Sequence, residues 1–329
     1  MARVLSVSLR PQRFATIIGQ DALLASIQKQ VATRPPQSWM FYGPTGCGKT
    51  TLARIIAVSY QCVHSTVFGE PCKECYAHRS EFDFHEINAG TTRGIEEMGK
   101  IEQMARFHPI VSKKRVFLID EFHKATPDAQ SLLLKPTEEP PPTTIWIICT
   151  NEPQKILATL RGRFTTYELR GLNHSDREKL LMRAAKVASF TSPLTDLFEA
   201  VHEARLSSPR SLLQVLEKFI AGMPADEAVA GIEGSVINGL ALCKALTSGS
   251  WKEIEKILDK ANPEDARYIR SSTANWLRGF LRNARDPREQ ERAVKSIDEL
   301  LSPAPFEDAN MLTWLYPRLW TIARRYAAK

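Results

Sequence analysis

Residues 39–50, WMFYGPTGCGKT, decide the fold of this chain. A short apolar run is followed by the pattern G-x-x-x-x-G-K-T and then by the helical stretch TLARIIAVSY. The glycines of such a loop, here Gly43, Gly46 and Gly48, let backbone N–H groups turn toward phosphate oxygens, and the next helix adds the positive end of its dipole. Because strand, loop and helix come in the required order, the stretch predicts a phosphate-binding loop for ATP in an α/β domain.

The residues of this loop have separate expected roles. Lys49 is expected to reach the β and γ phosphates, and the Thr50 hydroxyl is expected to bind Mg²⁺. Cys47 is expected to contribute only its backbone N–H. The other loop residues assigned to the nucleotide site are Pro44, Thr45 and Thr51.

A second apolar run, RVFLIDE (residues 115–121), ends in two acids. The pattern places Asp120 at the carboxyl edge of a sheet, where open α/β sheets bind ligands, so we expect it to support the Mg²⁺ ion. Glu121 is suited to accept a proton from the water that attacks the γ-phosphate. Two acids after a strand also occur at ordinary helix starts. Beside a phosphate loop they indicate ATP hydrolysis.

The chain changes character near residue 170. Before it, the runs SWMFY, FDFHEI, RVFLID and TIWIICT alternate with helical stretches, which predicts a mainly parallel sheet. After it, apolar residues take helical spacing. The turn-prone stretch AGMPADEAVAGIEG marks a joint near residue 225. We therefore expect a P-loop domain at 1–172, a small helical lid at 173–224 and an all-α domain at 225–329.

Length, charge and apolar content narrow the function classes. A chain of 329 residues with 43% apolar residues can build several cores, and no apolar run is long enough to span a membrane. The formal charge of +7 suits a polyanionic partner such as nucleic acid. The N-terminus lacks a leader pattern, so we expect a protein of the bacterial or phage-infected cytoplasm, or of the nucleus in a eukaryote.

Three of the six cysteines crowd between the phosphate-loop helix and the next apolar run. The spacing Cys62-x9-Cys72-x2-Cys75-x2-His78 offers four ligands in the arrangement of a closed, structural Zn²⁺ site. His64 and His85 are alternatives to His78 as the fourth ligand. Buried cysteines beside a surface histidine would be the ordinary explanation.

Around these motifs the chain resembles the clamp-loader family of AAA+ proteins, including the tau/gamma subunit of bacterial DNA polymerase III and the small subunits of replication factor C. The opening LRPQRFATIIGQ is similar to the family segment that lies against adenine, which assigns Arg10, Pro11 and Ile18 to the base. TIWIICTNEPQKI resembles the strand and sensor 1 of the family, which makes Asn151 the residue that holds the attacking water or the γ-phosphate. The family's four-cysteine module lies where the zinc site is predicted.

Two further segments carry arginines with roles in the family. TLRGRF (159–164) resembles the S-R-C motif, which makes Arg163 the arginine finger that reaches a neighbouring subunit's ATP. Glycine and phenylalanine replace the flanking serine and cysteine, and Arg161 is a rival finger. SSPRSLLQVL (207–216) resembles the sensor 2 element, which places Arg210 on the γ-phosphate of its own subunit. Pro136 stands where the family has a helix-compatible residue, so a helix is expected to end or kink there.

The resemblance implies an ATP-hydrolysing clamp-loader subunit in an assembly, homo- or hetero-oligomeric and expected to be a pentamer, with residues 225–329 as its collar. Its partners would be the other loader subunits, a sliding clamp and primer–template DNA, with no membrane. INAGTTRGIEEM (87–98) resembles the segment that faces the DNA backbone, which assigns Arg93 to a phosphate. The alternatives are another DNA-acting AAA+ protein, such as a helicase loader or a branch-migration motor, and a structural loader subunit without hydrolysis.

Overall fold

The structure is a computed structural model that describes residues 4–77, 82–91, 94–204, 206–229, 239–259, 261, 266–302 and 310–327. Two compact units make up the chain. The first consists of Met1–Thr191 and Ser207–Gln214, and the second of Ser192–Leu206 and Val215–Lys329. The domain boundaries predicted at residues 172 and 224 remain predictions.

The first unit is built on the predicted parallel sheet, which has five strands in the order β2-β3-β4-β1-β5. The strands are β1 (Ser38–Tyr42), β2 (Phe84–Asn88), β3 (Arg115–Asp120), β4 (Thr144–Thr150) and β5 (Thr165–Glu168). The apolar runs at 38–42, 115–120 and 144–150 match β1, β3 and β4 residue for residue. Their side chains are buried on both faces, as the strands of a covered parallel sheet are. The edge strand β5 was not predicted from the sequence.

The helices of this unit are α1 (Leu5–Ser8), α2 (Asp21–Thr33), α3 (Lys49–Gln61), α4 (Lys73–Ala77), α5 (Ile95–Ala105), α6 (Pro127–Ser131), α7 (Leu134–Glu138), α8 (Ala158–Arg161) and α9 (His174–Val187). Both faces of the sheet are covered by helices. On one face α3 packs Leu52 and Ile55 into a core with Trp39 of β1. On the other, Met98 of α5 packs with Phe117 of β3. The sheet therefore holds the start of α3 and the ends of β3 and β4 at one edge.

The helical run that contains Pro136 is interrupted between α6 and α7, at Leu132 and Leu133. Pro136 has no N–H to donate to the carbonyl oxygen of Leu132, and its ring would meet that oxygen in a continuous helix. The expected break therefore lies one turn before the proline.

In the second unit the described segments form only helices and their connections. They are α10 (Thr195–Glu203), the end of α11 (Pro209–Ile220), α12 (Ala225–Val229), α13 (Gly239–Ser248), α14 (Trp251–Leu258), α15 (Ala266–Asn283), α16 (Pro287–Leu301) and α17 (Asn310–Ala327). Leu246, Ile269, Leu277, Leu315 and Leu319 belong to its buried core. Across the described ranges of the whole chain, we find no helix with the length and apolarity needed to cross a membrane.

Candidate functional site

The loop between β1 and α3 turns through glycines with positive φ at Gly43, Gly46 and Gly48. A Cβ atom on Gly43 would lie 2.1 Å from the carbonyl oxygen of Leu169, which follows β5. A Cβ atom on Gly46 would lie 2.3 Å from the hydroxyl oxygen of Ser208. The loop thus needs glycine at both positions to pass its neighbours, in addition to any contact with phosphate.

Lys49 begins α3 and lies folded back over the loop. Its Nζ donates hydrogen bonds to the carbonyl oxygens of Gly43 and Pro44, each at 2.8 Å. The ammonium group therefore lies where a phosphate-loop lysine meets the phosphates of a nucleotide. Cys47, in the same loop, packs into the core, and burial raises the pKa of its thiol. Its side chain is thus directed away from the phosphates, which agrees with a contribution from its backbone alone.

The acids at the end of β3 face the start of α3. The Thr50 hydroxyl donates a 2.7 Å hydrogen bond to Oδ2 of Asp120, which joins the two halves of the predicted Mg²⁺ site. Glu121 takes the left-handed backbone conformation, with φ 51°, and its N–H donates to Oδ1 of Asp120. Lys124 Nζ lies 2.6 Å from Oε2 of Glu121, and this hydrogen bond lowers the pKa of the Glu121 carboxyl. Glu121 is therefore ionised at neutral pH.

The predicted sensor residue Asn151 directly follows β4, beside the end of β3, and it is exposed. Its two neighbours in sequence contact His123, a residue that follows Glu121 by two positions. Nδ1 of His123 lies 3.3 Å from Oγ1 of Thr150, and Nε2 lies 3.7 Å from Oε1 of Glu152. Sequence reasoning assigned no role to His123, although it stands in the stretch that carries the acids.

A cavity of about 260 Å³ brings the base-binding and phosphate-binding candidates together. The predicted residues that line it are Arg10, Pro11, Ile18, Gly46, Cys47, Gly48, Lys49, Thr50, Thr51, Asp120 and Arg210. Burial lowers the pKa of Arg10, and the nearby charges of Arg54 and Arg210 lower it further. This concentration of positive charge in a partly apolar cleft fits a nucleotide polyphosphate.

The segment that carries Arg10 and Pro11 is anchored on the loop after α3. The Phe14 N–H donates to the Gly69 carbonyl oxygen at 2.8 Å, and the Ala15 N–H donates to the Glu70 carboxylate at 2.8 Å. Phe14 also packs edge-on against Phe68. One wall of the cavity therefore depends on the loop that contains the cysteines.

Arg163, the predicted finger, is held by its own chain. It donates hydrogen bonds to the carbonyl oxygen of Thr159 at 2.6 Å and to the carboxylate of Glu138 at 2.8 Å. About a quarter of its side chain stays exposed. The rival Arg161 is the last residue of α8 and is half-buried.

The cysteine cluster forms a compact set of four ligand atoms from Cys62, His64, Cys72 and Cys75, all within 4.8 Å of one another. Nδ1 of His64 lies 3.4 Å from both Cys72 Sγ and Cys75 Sγ. In a tetrahedral Zn²⁺ site, bonds of about 2.3 Å to sulfur and 2.0–2.1 Å to nitrogen put such atoms about 3.6 Å apart. The donor set and its spacing therefore fit zinc.

Backbone groups support the same cluster. The Cys75 N–H donates a hydrogen bond to Cys72 Sγ at 3.3 Å, which helps to orient that sulfur within the cluster. Burial raises the pKa of the Cys62 thiol, but hydrogen bonds from the backbone of Cys72, His64 and Ser65 outweigh it and bring that pKa down to about 7. The structure thus supplies His64 as a fourth donor, one of the two alternatives to His78.

Two predicted site residues, His78 and Arg93, lie outside the described residues.

Comparison with known proteins bears directly on this arrangement. A model of the family described as "DNA polymerase III, delta subunit" matches residues 19–173. The DNA polymerase III subunit gamma/tau of Mycobacterium tuberculosis is 32% identical over 313 residues, covering 88% of this chain and 53% of that protein. These matches support a clamp-loader AAA+ protein. The DNA polymerase III subunit tau of Bacillus subtilis is 35% identical over 167 residues, covering 49% of this chain and 30% of that protein.

The chain spans about half the length of the curated relatives it matches first. Among solved structures, a mutant of RuvB from Thermotoga maritima aligns with a TM-score of 0.50 at 18% identity, over 73% of this chain and 79% of that one. This likeness concerns the AAA+ fold alone, and it agrees with the parallel sheet and the helical part described above.

Proposed function

We propose that this clamp-loader chain is an ATP-hydrolysing motor subunit that opens a ring-shaped sliding clamp and places it on primer–template DNA. The observation that carries the proposal is the grouping of Lys49, Thr50, Asp120 and Arg210 around one cavity, in a chain whose relatives are named gamma/tau subunits of DNA polymerase III. ATP binding between neighbouring subunits would hold the clamp open. Hydrolysis triggered by DNA would release it.

Each side chain of the site has a defined task in this proposal. Lys49 and Arg210 offset the negative charge of the β and γ phosphates. The hydrogen-bonded pair of Thr50 and Asp120 would hold Mg²⁺, which would supply positive charge against the phosphates. Glu121, already ionised, takes a proton from the attacking water, and the Asn151 amide orients that water.

Arg163 would complete the ATP site of the neighbouring subunit. Its hydrogen bonds to Thr159 and Glu138 fix the guanidinium near the surface, so that little side-chain entropy remains to be lost when a neighbour's phosphate arrives. Hydrolysis would then require assembly with other loader subunits. A pentamer is the assembly that we propose.

The zinc site would be structural, because four protein ligands leave no open position for chemistry. We assign it to Cys62, His64, Cys72 and Cys75. Metal analysis should give one zinc per chain, and His64→Ala should lose it while His78→Ala keeps it. The reverse result would return the fourth position to His78.

DNA would be held through its phosphates, with Arg93 as one contact, and without regard to sequence. The bacterial relatives favour action in the bacterial cytoplasm.

The test is the rate of ATP hydrolysis with a bacterial ring clamp, with primer–template DNA, and with both. Stimulation by both together above DNA alone is expected. Glu121→Gln should keep ATP binding and lower turnover by at least about a hundredfold, whereas Lys49→Ala should lose binding. Equal rates with and without the clamp would refute the clamp-loading role, and full turnover by Glu121→Gln would remove that carboxylate from the chemistry.

A further inference from the structure

The imidazole of His123 has no role in the proposed hydrolysis, yet it lies two residues after the proposed catalytic carboxylate of Glu121. It lies in the single helical turn Phe122–Lys124 that follows Glu121. Its side chain is only 8% exposed. A polar ring in such a place needs hydrogen-bond partners, because an unpaired buried polar group is costly.

Those partners come from the neighbouring strand. Nδ1 lies 3.3 Å from the Thr150 hydroxyl, the last residue of β4, and Nε2 faces the Glu152 carboxylate at 3.7 Å. The Glu152 N–H in turn donates to the Thr150 hydroxyl at 3.0 Å. His123 therefore contacts the residue on each side of Asn151.

These contacts favour one tautomer of the ring. The Glu152 carboxylate that Nε2 faces can only accept, so we expect the neutral imidazole to carry its proton on Nε2. Nδ1 then accepts from the Thr150 hydroxyl, whose oxygen also accepts from the Glu152 N–H. Burial lowers the pKa of His123, although the carboxylates of Glu152 and Glu121 oppose that shift, and the ring is neutral at pH 7.

We infer that His123 is a positioning residue that fixes Asn151 relative to Glu121, an inference that rests on the proposed ATP hydrolysis. The backbone register of β3 and β4 ends with the pair Ile119 and Ile148. Beyond that pair, the two strand ends separate into loops that carry Glu121 and Asn151. The contacts of His123 join these loops by side chains where the ladder has stopped.

The expected effect is on the rate of the chemical step and not on nucleotide binding, since neither His123 nor Thr150 lines the nucleotide cavity. A displacement of about 1 Å between catalytic groups can lower a rate about a hundredfold. We therefore expect Thr150→Val to lower kcat for ATP by about 10- to 100-fold. The dissociation constant for ATP should stay within about twofold, because the phosphate contacts are unchanged.

Matched variants separate positioning from general damage. Thr150→Ser keeps the hydroxyl and should retain kcat within about threefold, and His123→Asn keeps an acceptor near the place of Nδ1 and should retain more activity than His123→Ala. Combined with Thr150→Val, His123→Ala should lower kcat little further, since each change alone already removes the hydrogen bond between His123 and Thr150. Multiplied losses in the double variant would contradict the inference.

A spectroscopic test does not depend on hydrolysis. Nitrogen-15 NMR of histidine-labelled protein, with the His123 signal assigned by its loss in His123→Asn, should report a proton on Nε2. A proton on Nδ1, or full kcat in Thr150→Val while Glu121→Gln is inactive, would overturn the positioning role and leave the proposed function standing. Full turnover by Glu121→Gln would instead refute the hydrolysis on which the role rests.

Discussion

Replacing Gly46 with alanine tests whether the phosphate loop has the shape described above. Gly46 has φ 76°, a conformation that an alanine adopts only with strain. The added Cβ atom would lie 2.3 Å from the Ser208 hydroxyl oxygen and 3.1 Å from Cβ of Arg210. The substitution therefore acts in two separable ways, through backbone strain and through a steric clash.

The magnitude follows from these two contributions. A non-glycine residue in the left-handed region costs about 1–2 kcal/mol. Forcing an extra methyl group into a packed site costs about 1–3 kcal/mol more. We expect the free energy of unfolding of the first unit to fall by about 2–5 kcal/mol, which for a unit of this size lowers its Tm by roughly 4–20 °C.

The assay is thermal unfolding by calorimetry, with Gly99→Ala as the matched control. Gly99 lies inside α5, and the nearest atom to its added Cβ would be Leu132 Cδ1 at 4.0 Å. The same chemical change should there raise stability by about 0.5–1 kcal/mol, since alanine favours the helix. Adding Ser208→Ala to Gly46→Ala should recover the steric part and leave the backbone part.

Two results would refute this reasoning. If Gly46→Ala melts within about 2 °C of the wild type, a shift smaller than the backbone cost alone, the positive φ of Gly46 is wrong. If Ser208→Ala recovers nothing, the close approach of residues 46 and 208 is wrong. In either case the relation of Arg210 to the phosphate loop would have to be revised.

Three further results are expected. Buried Asp83 accepts hydrogen bonds from three backbone N–H groups and from Arg115, and these bonds hold the pKa of its carboxyl low despite burial. Asp83→Asn should therefore cost about 3–5 kcal/mol in urea unfolding at pH 7. That difference belongs to the ionised form, so it should shrink as the pH falls below about 4 toward the lowered folded pKa, and an equal loss at pH 3 would contradict it. Removal of zinc by a chelator should weaken ATP binding about fivefold, because the hydrogen bond from Phe14 to Gly69 is then lost. A fivefold change corresponds to one hydrogen bond of about 1 kcal/mol. Unchanged affinity in the metal-free protein would show that the zinc site does not support the ATP site. Arg163→Ala should lower ATP hydrolysis by about 10³-fold, and mixing it with Glu121→Gln should restore part of the activity, whereas an inactive mixture despite co-assembly would point to Arg161.

The strands that sequence reasoning located are those buried on both faces. β1, β3 and β4 are continuous apolar runs because each is covered by helices above and below. Among the described strands, β5, with the sequence TTYE, has β1 as its single partner, and its side chains alternate between half-buried and exposed. Such a short polar edge strand has no apolar run to mark it, and its place depends on the partner that the fold provides.

In the candidate site, too, the parts formed by residues close in sequence could be predicted, and the contacts between distant residues could not. The phosphate loop and the acids could be predicted because their spacing in sequence is also their arrangement in space. The contact of His123 with Thr150 joins residues 27 positions apart, and it exists only because β3 and β4 are neighbours. The cysteine spacing indicated a metal, but spacing could not select the histidine, because the path of the loop between Cys62 and Cys72 depends on packing against Phe14.

The strand order has a consequence for how the chain is made. β1 leaves the ribosome before its partners in the sheet, β4 and β5, which follow it by about 100 residues or more. At synthesis rates of about 5–20 residues per second, this apolar strand waits for roughly 5–20 s before β4 is available to pair with it. β2 and β3, which are neighbours, can pair during that delay. The segment SWMFY is therefore an apolar part of the nascent chain that a chaperone would shield, and slower translation between residues 42 and 144 should lower the yield of soluble protein.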